Sequence, residues 1–244
     1  MKNNNGLVSF CKTAIAQKTG YVYGTIGQAC TTDLLNQCAS RYPDDNLSGG
    51  EMRKVGEKWI GHRVVDCIGL LKYYMMADKY GENPIYNEQY DNSANGAFAH
   101  AEINGSMATM PDVAGICLHM NGHFGVYIGN GYVIEARGTV YGVVLTKLKK
   151  RPWTAWFKSP WITYIDSSFC DTKNTFTKAL GEFYVFKTGS DIRSGNSAIM
   201  QRVDSGLLAD GFFYTKFLAI GKGGCGFYMR INGVEKRVCV VNVI

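Results

Sequence analysis

The chain has 244 residues, 46% hydrophobic and 19% charged, which excludes a disordered segment; 13% aromatic content and 29 glycines lean toward β-rich structure with tight turns. The formal charge is +6, and ten basic against six acidic residues after position 170 make the last third mildly basic. There is no arginine-rich run, and the one basic cluster, Lys147, Lys149, Lys150 and Arg151, reads as a solvated strand end, so the class of nucleic-acid binders is not expected.

Residues 7–18 suit a first helix. The N-terminal stretch "MKNNNGLVSFCKTAIAQKTG" has a short apolar run broken by Lys12, below the roughly 7–15 residues of a secretory signal. No stretch reaches the ~18 apolar residues of a membrane span. Cytoplasmic synthesis without membrane insertion is the expectation. The eight cysteines form no C-x-x-C pair, so free and mostly buried thiols are expected.

"YVYGTIGQ" (21–28) reads as strand or turn, 31–40 as a second helix, and 42–54 as a polar loop. Within that loop "LSGGE" looks like the signature loop of transporter ATPases. No G-x-x-x-x-G-K-[ST] loop accompanies it, so it carries no function. A helix is expected from Cys67 to about Tyr80, apolar on nearly every side and therefore central. Residues 81–111 read as loop and short helix. "AGICLHM", "HFGVYIG", "YVIEARG" and "VYGVVLTKL" are four strand-like runs separated by Asn-Gly or Gly. Trp153, Trp156 and Trp161 read as packing. Residues 166–177 have linker composition. A second, all-β unit of about 65 residues follows, the size of a small barrel.

Two features carry chemistry. In "RVVDCIGLLKYY" (63–74), Asp66 can cap a helix, its carboxylate accepting backbone N–H bonds. Cys67 then falls in the first turn, where the helix dipole favours a thiolate. A structural thiol in a core helix is the alternative, and the cap alone does not settle it.

A nucleophilic cysteine needs a base. "ICLHM-NG-HFGVY" is a hairpin around Asn121-Gly122. In that register Met120 faces His123 and Leu118 faces Gly125. Cys117 and His119 lie on the other face, which argues against reading C-x-H-x3-H as a zinc site. At "GNG", a two-residue loop would turn Glu135 away from His123. A three-residue loop, Gly129-Asn130-Gly131 with Gly131 left-handed, shifts the register by one. Glu135 then pairs with Gly125 and neighbours His123 diagonally, about 7–8 Å from backbone to backbone. A carboxylate there can hold the imidazole tautomer and stabilise its protonated form. A surface strand carboxylate is the alternative.

Together, "DCIGLLKYY" and "HFGVYIGNGYVIEARG" resemble the NlpC-type family of papain-like cell-wall cysteine peptidases, over roughly residues 7–165. The resemblance implies Cys67 as nucleophile, His123 as base and Glu135 as the third residue. It makes Tyr21 of "GYVYG" and Asp66 possible substrate contacts, with Asp66 equally readable as a plain cap. Ile68 stands where the family has serine, and Glu135 where it usually has His, Asn or Gln; an anion there should favour a cysteine–imidazolium pair. "DIRSGNSAIMQRV" (191–203) looks like the start of bacterial Src-homology-3-like wall-binding domains.

The expected fold is therefore α+β: a papain-like NlpC-type domain over 1–165, a linker over 166–177 and a Src-homology-3-like β-barrel over 178–244. The implied function is a phage-lysin-like peptidoglycan hydrolase that needs no metal or cofactor, with the barrel binding a wall polymer. It would reach the wall after release from the cell. An inactive wall-binding protein and a cysteine amidase or acyltransferase on a non-wall substrate are the other readings.

Overall fold

The computed structural model describes residues 2–43 and 51–244. "LSGGE" lies outside them apart from the backbone of Glu51. The chain divides into two compact units, one of Leu7–Ile162 with Lys2, the other of Thr163–Ile244 with Asn3–Gly6. Sheets dominate and helices are few and short, so the fold class is α+β.

The chain begins with α1 (Asn4–Ala16), which belongs to the first unit from Leu7 on, followed by β1 (Gly20–Tyr21), β2 (Ile26–Ala29) and α2 (Thr32–Arg41). Thr31 caps α2 by accepting the Leu34 N–H at 3.1 Å. The helix buries Leu35, Cys38 and Ala39 along one stripe. Then come α3 (Glu51–Lys54), β3 (Arg63–Val65) and α4 (Gly69–Met76). Strands β1, β3 and β2 form a small sheet with β3 in the middle.

Seven of the eight residues of α4 are buried, as its all-round apolar pattern implies. The helix stops at Met76 rather than near Tyr80. The Tyr73 hydroxyl accepts the Gly81 N–H at 2.9 Å and donates to the Glu82 carbonyl at 2.8 Å, which folds the following chain back on the helix.

After α5 (Ala94–Ala99) come β4 (Asn104–Ser106), β5 (Cys117–Met120), β6 (His123–Gly129), β7 (Tyr132–Ala136), β8 (Val143–Lys147) and β9 (Ala155–Phe157). They build one antiparallel sheet in the order β4-β9-β5-β6-β7-β8. The β5–β6 register pairs Met120 with His123 and Leu118 with Gly125, as the Asn-Gly turn implies.

The β6–β7 register is the expected one, reached by a different device. Gly129 pairs with Tyr132 across a two-residue Asn130-Gly131 turn, and a bulge between Tyr127 and Gly129 supplies the one-residue shift. Gly129, Asn130 and Gly131 all have positive φ (91°, 56° and 75°). Val126 then pairs with Ile134, which puts Gly125 opposite Glu135 one step on.

The second unit has seven strands: β10 (Phe176–Lys178), β11 (Phe183–Thr188), β12 (Ile192–Ser194), β13 (Met200–Leu207), β14 (Phe213–Ala219), β15 (Gly223–Ile231) and β16 (Val234–Val243). They form two sheets, β10-β16-β15-β12 and β11-β14-β13. Phe186, Phe217 and Phe227 meet at its centre, each fully buried. The stretch expected as a linker belongs to this unit: Cys170 is buried in its core, and β10 pairs in parallel with β16.

Candidate active site

Cys67 lies in the turn between β3 and α4. Asp66 shapes that turn: its Oδ1 accepts the N–H groups of Ile68 at 3.1 Å and Gly69 at 2.8 Å. The expected cap is therefore present, but the helix begins at Gly69, so Cys67 stands just ahead of the first turn rather than inside it. Gly69 is needed by close approach: a Cβ there would lie 2.6 Å from the Thr25 carbonyl oxygen and 2.8 Å from Val65 Cβ.

The cap position does not make Cys67 a thiolate. Burial, and then the neighbouring Asp66, push the thiol up to about 12. Its Sγ instead donates to the Gly122 carbonyl at 3.4 Å. Asp66 is itself displaced: burial raises its carboxyl to about 6, against Lys72 and the N–H groups of Gly69, Ile68 and Gly24.

Gly122 closes the β5–β6 turn and directly precedes His123, so the thiol rests against the hairpin tip that carries the imidazole. His123 Nε2 is 2.7 Å from Glu135 Oε2. The ring stacks on Trp153, with centroids 5.6 Å apart and planes 14° from parallel.

Glu135 is 0% exposed, which rules out the surface-carboxylate alternative. Thr146 donates to its Oε1 at 2.7 Å, and Arg151 Nε donates to Oε1 at 2.9 Å and Oε2 at 3.1 Å. Burial alone would raise its carboxyl. The bonds from His123, Thr146 and Arg151 outweigh that and hold it below the ordinary carboxylate value.

Arg151 and Trp153 are the residues that sequence reasoning missed. It read the first as part of a solvated cluster and the second as packing. A signal was present: a residue before proline is extended, and Arg151 has φ −125° and ψ 143°. In extended chain, positions 151 and 153 point to the same side. "RPW" thus sends a cation and an aromatic ring together toward one target. His119, on the other strand face, is engaged elsewhere: its Nε2 bonds Asn95 Oδ1 at 2.9 Å and its ring stacks on Phe98.

A cleft of about 420 Å³ opens at Cys67, lined also by Tyr23, Asp66, Ile68, Lys72, Asn95 and Gly122. Of the two expected substrate contacts, Asp66 is on this lining and Tyr21 is not. Tyr21 is half-buried in β1, paired with Val65, and Tyr23 stands at the cleft instead. Lys72, buried on α4, reaches Asp91 at 2.6 Å, and Asp91 accepts the Tyr86 hydroxyl at 2.9 Å.

No protein-family model and no curated protein matches this chain. Among solved structures it is similar to domains 4 and 5 of the S-layer protein SbsC, at 10% identity and a TM-score of 0.25, over 49% of this chain and 70% of that one. A likeness at that level carries no argument about fold family or function.

Proposed function

We propose that the protein is a cysteine peptidase or amidase of papain-like, NlpC-type architecture, and that it hydrolyses a stem-peptide bond of peptidoglycan. The observation that carries the chemistry is the convergence of a cleft-lining thiol on the hairpin tip whose next residue, His123, is held by a buried carboxylate. The choice of wall as substrate rests on the motif resemblance, as does a wall-binding, Src-homology-3-like role for the C-terminal unit.

Glu135 occupies His123 Nε2, which leaves Nδ1 as the nitrogen that takes the thiol proton. As the Cys67 Sγ–carbon bond forms, that proton passes to Nδ1 and the carbonyl oxygen becomes an oxyanion. The Cys67 N–H, ahead of α4, is the candidate donor to it, since those of Ile68 and Gly69 already bond Asp66 Oδ1. His123 then protonates the leaving amine as the C–N bond breaks. Water, deprotonated by His123, releases the acyl group and restores the thiol. Each residue acts through its own protons, so the cycle closes with water as the only co-reactant.

The test is mass spectrometry of fragments released from defined peptidoglycan. The wild type is expected to release new amino groups and Cys67→Ala none, at unchanged thermal midpoint. Full activity in Cys67→Ala would remove the nucleophile assignment. Wall binding without release by the wild type would favour an inactive binder.

A further inference from the structure

The Glu135 carboxylate serves two groups that can carry positive charge. His123 Nε2 lies 2.7 Å from Oε2, and Arg151 Nε bonds both oxygens at 2.9 and 3.1 Å. A guanidinium does not give up its proton in a protein, so this carboxylate has a permanent counter-charge. Glu135 is fully buried, where such pairing is weakly screened. An imidazolium at His123 therefore meets a carboxylate whose charge is already largely offset. The ring also stacks on Trp153, which brings no charge; Cys67 Sγ bonds the carbonyl of the preceding residue, Gly122, with Asp66 and Lys72 acting on that thiol, and Thr146 adds no charge at Glu135.

We propose that Arg151 is a positioning residue that keeps Cys67 at rest as a thiol, by neutralising the carboxylate that orients His123. This rests on the reading of Cys67 and His123 as nucleophile and base. It reverses the expectation that an acidic third residue favours a standing cysteine–imidazolium pair. The Sγ lies 3.4 Å from the Gly122 carbonyl oxygen, an acceptor that a thiol can use and a thiolate cannot. The consequence is a guarded nucleophile: the thiol proton moves when the substrate carbonyl is attacked, and no standing thiolate is open to electrophiles in between.

The test measures iodoacetamide alkylation of Cys67 in the full-length protein against pH, read on the peptide that carries Cys67, alongside the pH profile of wall hydrolysis. The wild-type alkylation rate is expected to rise only toward alkaline pH. Arg151→Gln keeps a donor but loses the charge. It is expected to gain a plateau near neutrality about tenfold above wild type, the scale of one lost counter-charge beside a buried pair, and the acid limb of hydrolysis should move to higher pH. Arg151→Lys, which keeps the charge, should follow the wild type in alkylation.

A merely structural arginine would lower hydrolysis in both variants and leave the alkylation profile unmoved, which would overturn the proposal. A neutral plateau in the wild type would overturn it without any variant having to fold. The expected alkylation profiles without wall hydrolysis would uphold the role of Arg151 and remove the wall reading, so the two fail separately.

Discussion

Asp66 does two opposed things at the proposed nucleophile, Cys67. Its Oδ1 accepts the Ile68 and Gly69 N–H groups, which sets the turn that presents Cys67. Its charge, once formed, raises the thiol beside it. Because burial lifts the Asp66 carboxyl from 3.8 to about 6, the folded protein holds this proton more tightly than the unfolded chain does. The contribution to stability is thus fully present below the ordinary carboxylate value and is lost as pH rises through about 6. Asp66→Asn keeps an acceptor at Oδ1 and removes the titration. Urea midpoints measured between about pH 4 and 7 should fall with rising pH in the wild type relative to the variant. In the same variant Cys67 should alkylate faster at a given pH. Parallel stability curves would mean that burial does not raise the Asp66 carboxyl above its unfolded value.

The hairpins are where sequence was most legible at the level of elements. Asn-Gly turns combine positive φ with a fixed two-residue span, so the pairing of Met120 with His123 could be read without tertiary information. The β6–β7 register could also be read, although the bulge that produces it could not: "GNG" offers two loop lengths, and only packing chooses. The limits of α4 were hidden for a similar reason, since the segment that follows it is held by the Tyr73 hydroxyl through the Gly81 N–H and the Glu82 carbonyl. Strand β9 was missed because its three residues are too few for a periodic signal. Gly125 on β6 tests how tightly these strands hold the site. A Cβ there would lie 2.7 Å from Trp153 Cη2 and 2.8 Å from Val133 Cγ1, both buried. Gly125→Ala should therefore cost about 1–3 kcal/mol by overpacking, read as a lower urea midpoint at constant m-value. Because Trp153 stacks on His123, the proposed wall hydrolysis should fall by more than the lost folded fraction. A stable, fully active variant would mean that the Trp153 stack does not set the imidazole position.

At the scale of the whole chain, the boundary between units does not follow sequence order. Residues 3–6 cluster with 163–244, although they open the chain and run into α1. The reason lies in three consecutive asparagines, Asn3, Asn4 and Asn5. Asn4 N donates to the Thr163 carbonyl at 3.0 Å, and Asn4 Oδ1 accepts the Ile165 N–H at 2.8 Å. Asn5 Nδ2 donates to the carbonyls of Gly189 at 3.1 Å and Gly211 at 2.9 Å. All three side chains are buried, so each bond lost leaves a polar group without water to replace its partner. A chain of two such units is not bound to unfold in one step. Asn5→Ala should destabilise the unit containing 163–244 by about 1–3 kcal/mol, the cost of orphaning buried acceptors. Hydrogen exchange resolved by peptide would then rise across β11 and the segment around Gly211, while peptides over β5, β6 and β7 keep wild-type protection. Equal loss of protection in both sets would mean that the two units unfold as a single cooperative body, and that the N-terminal asparagines stabilise the whole chain rather than one part of it.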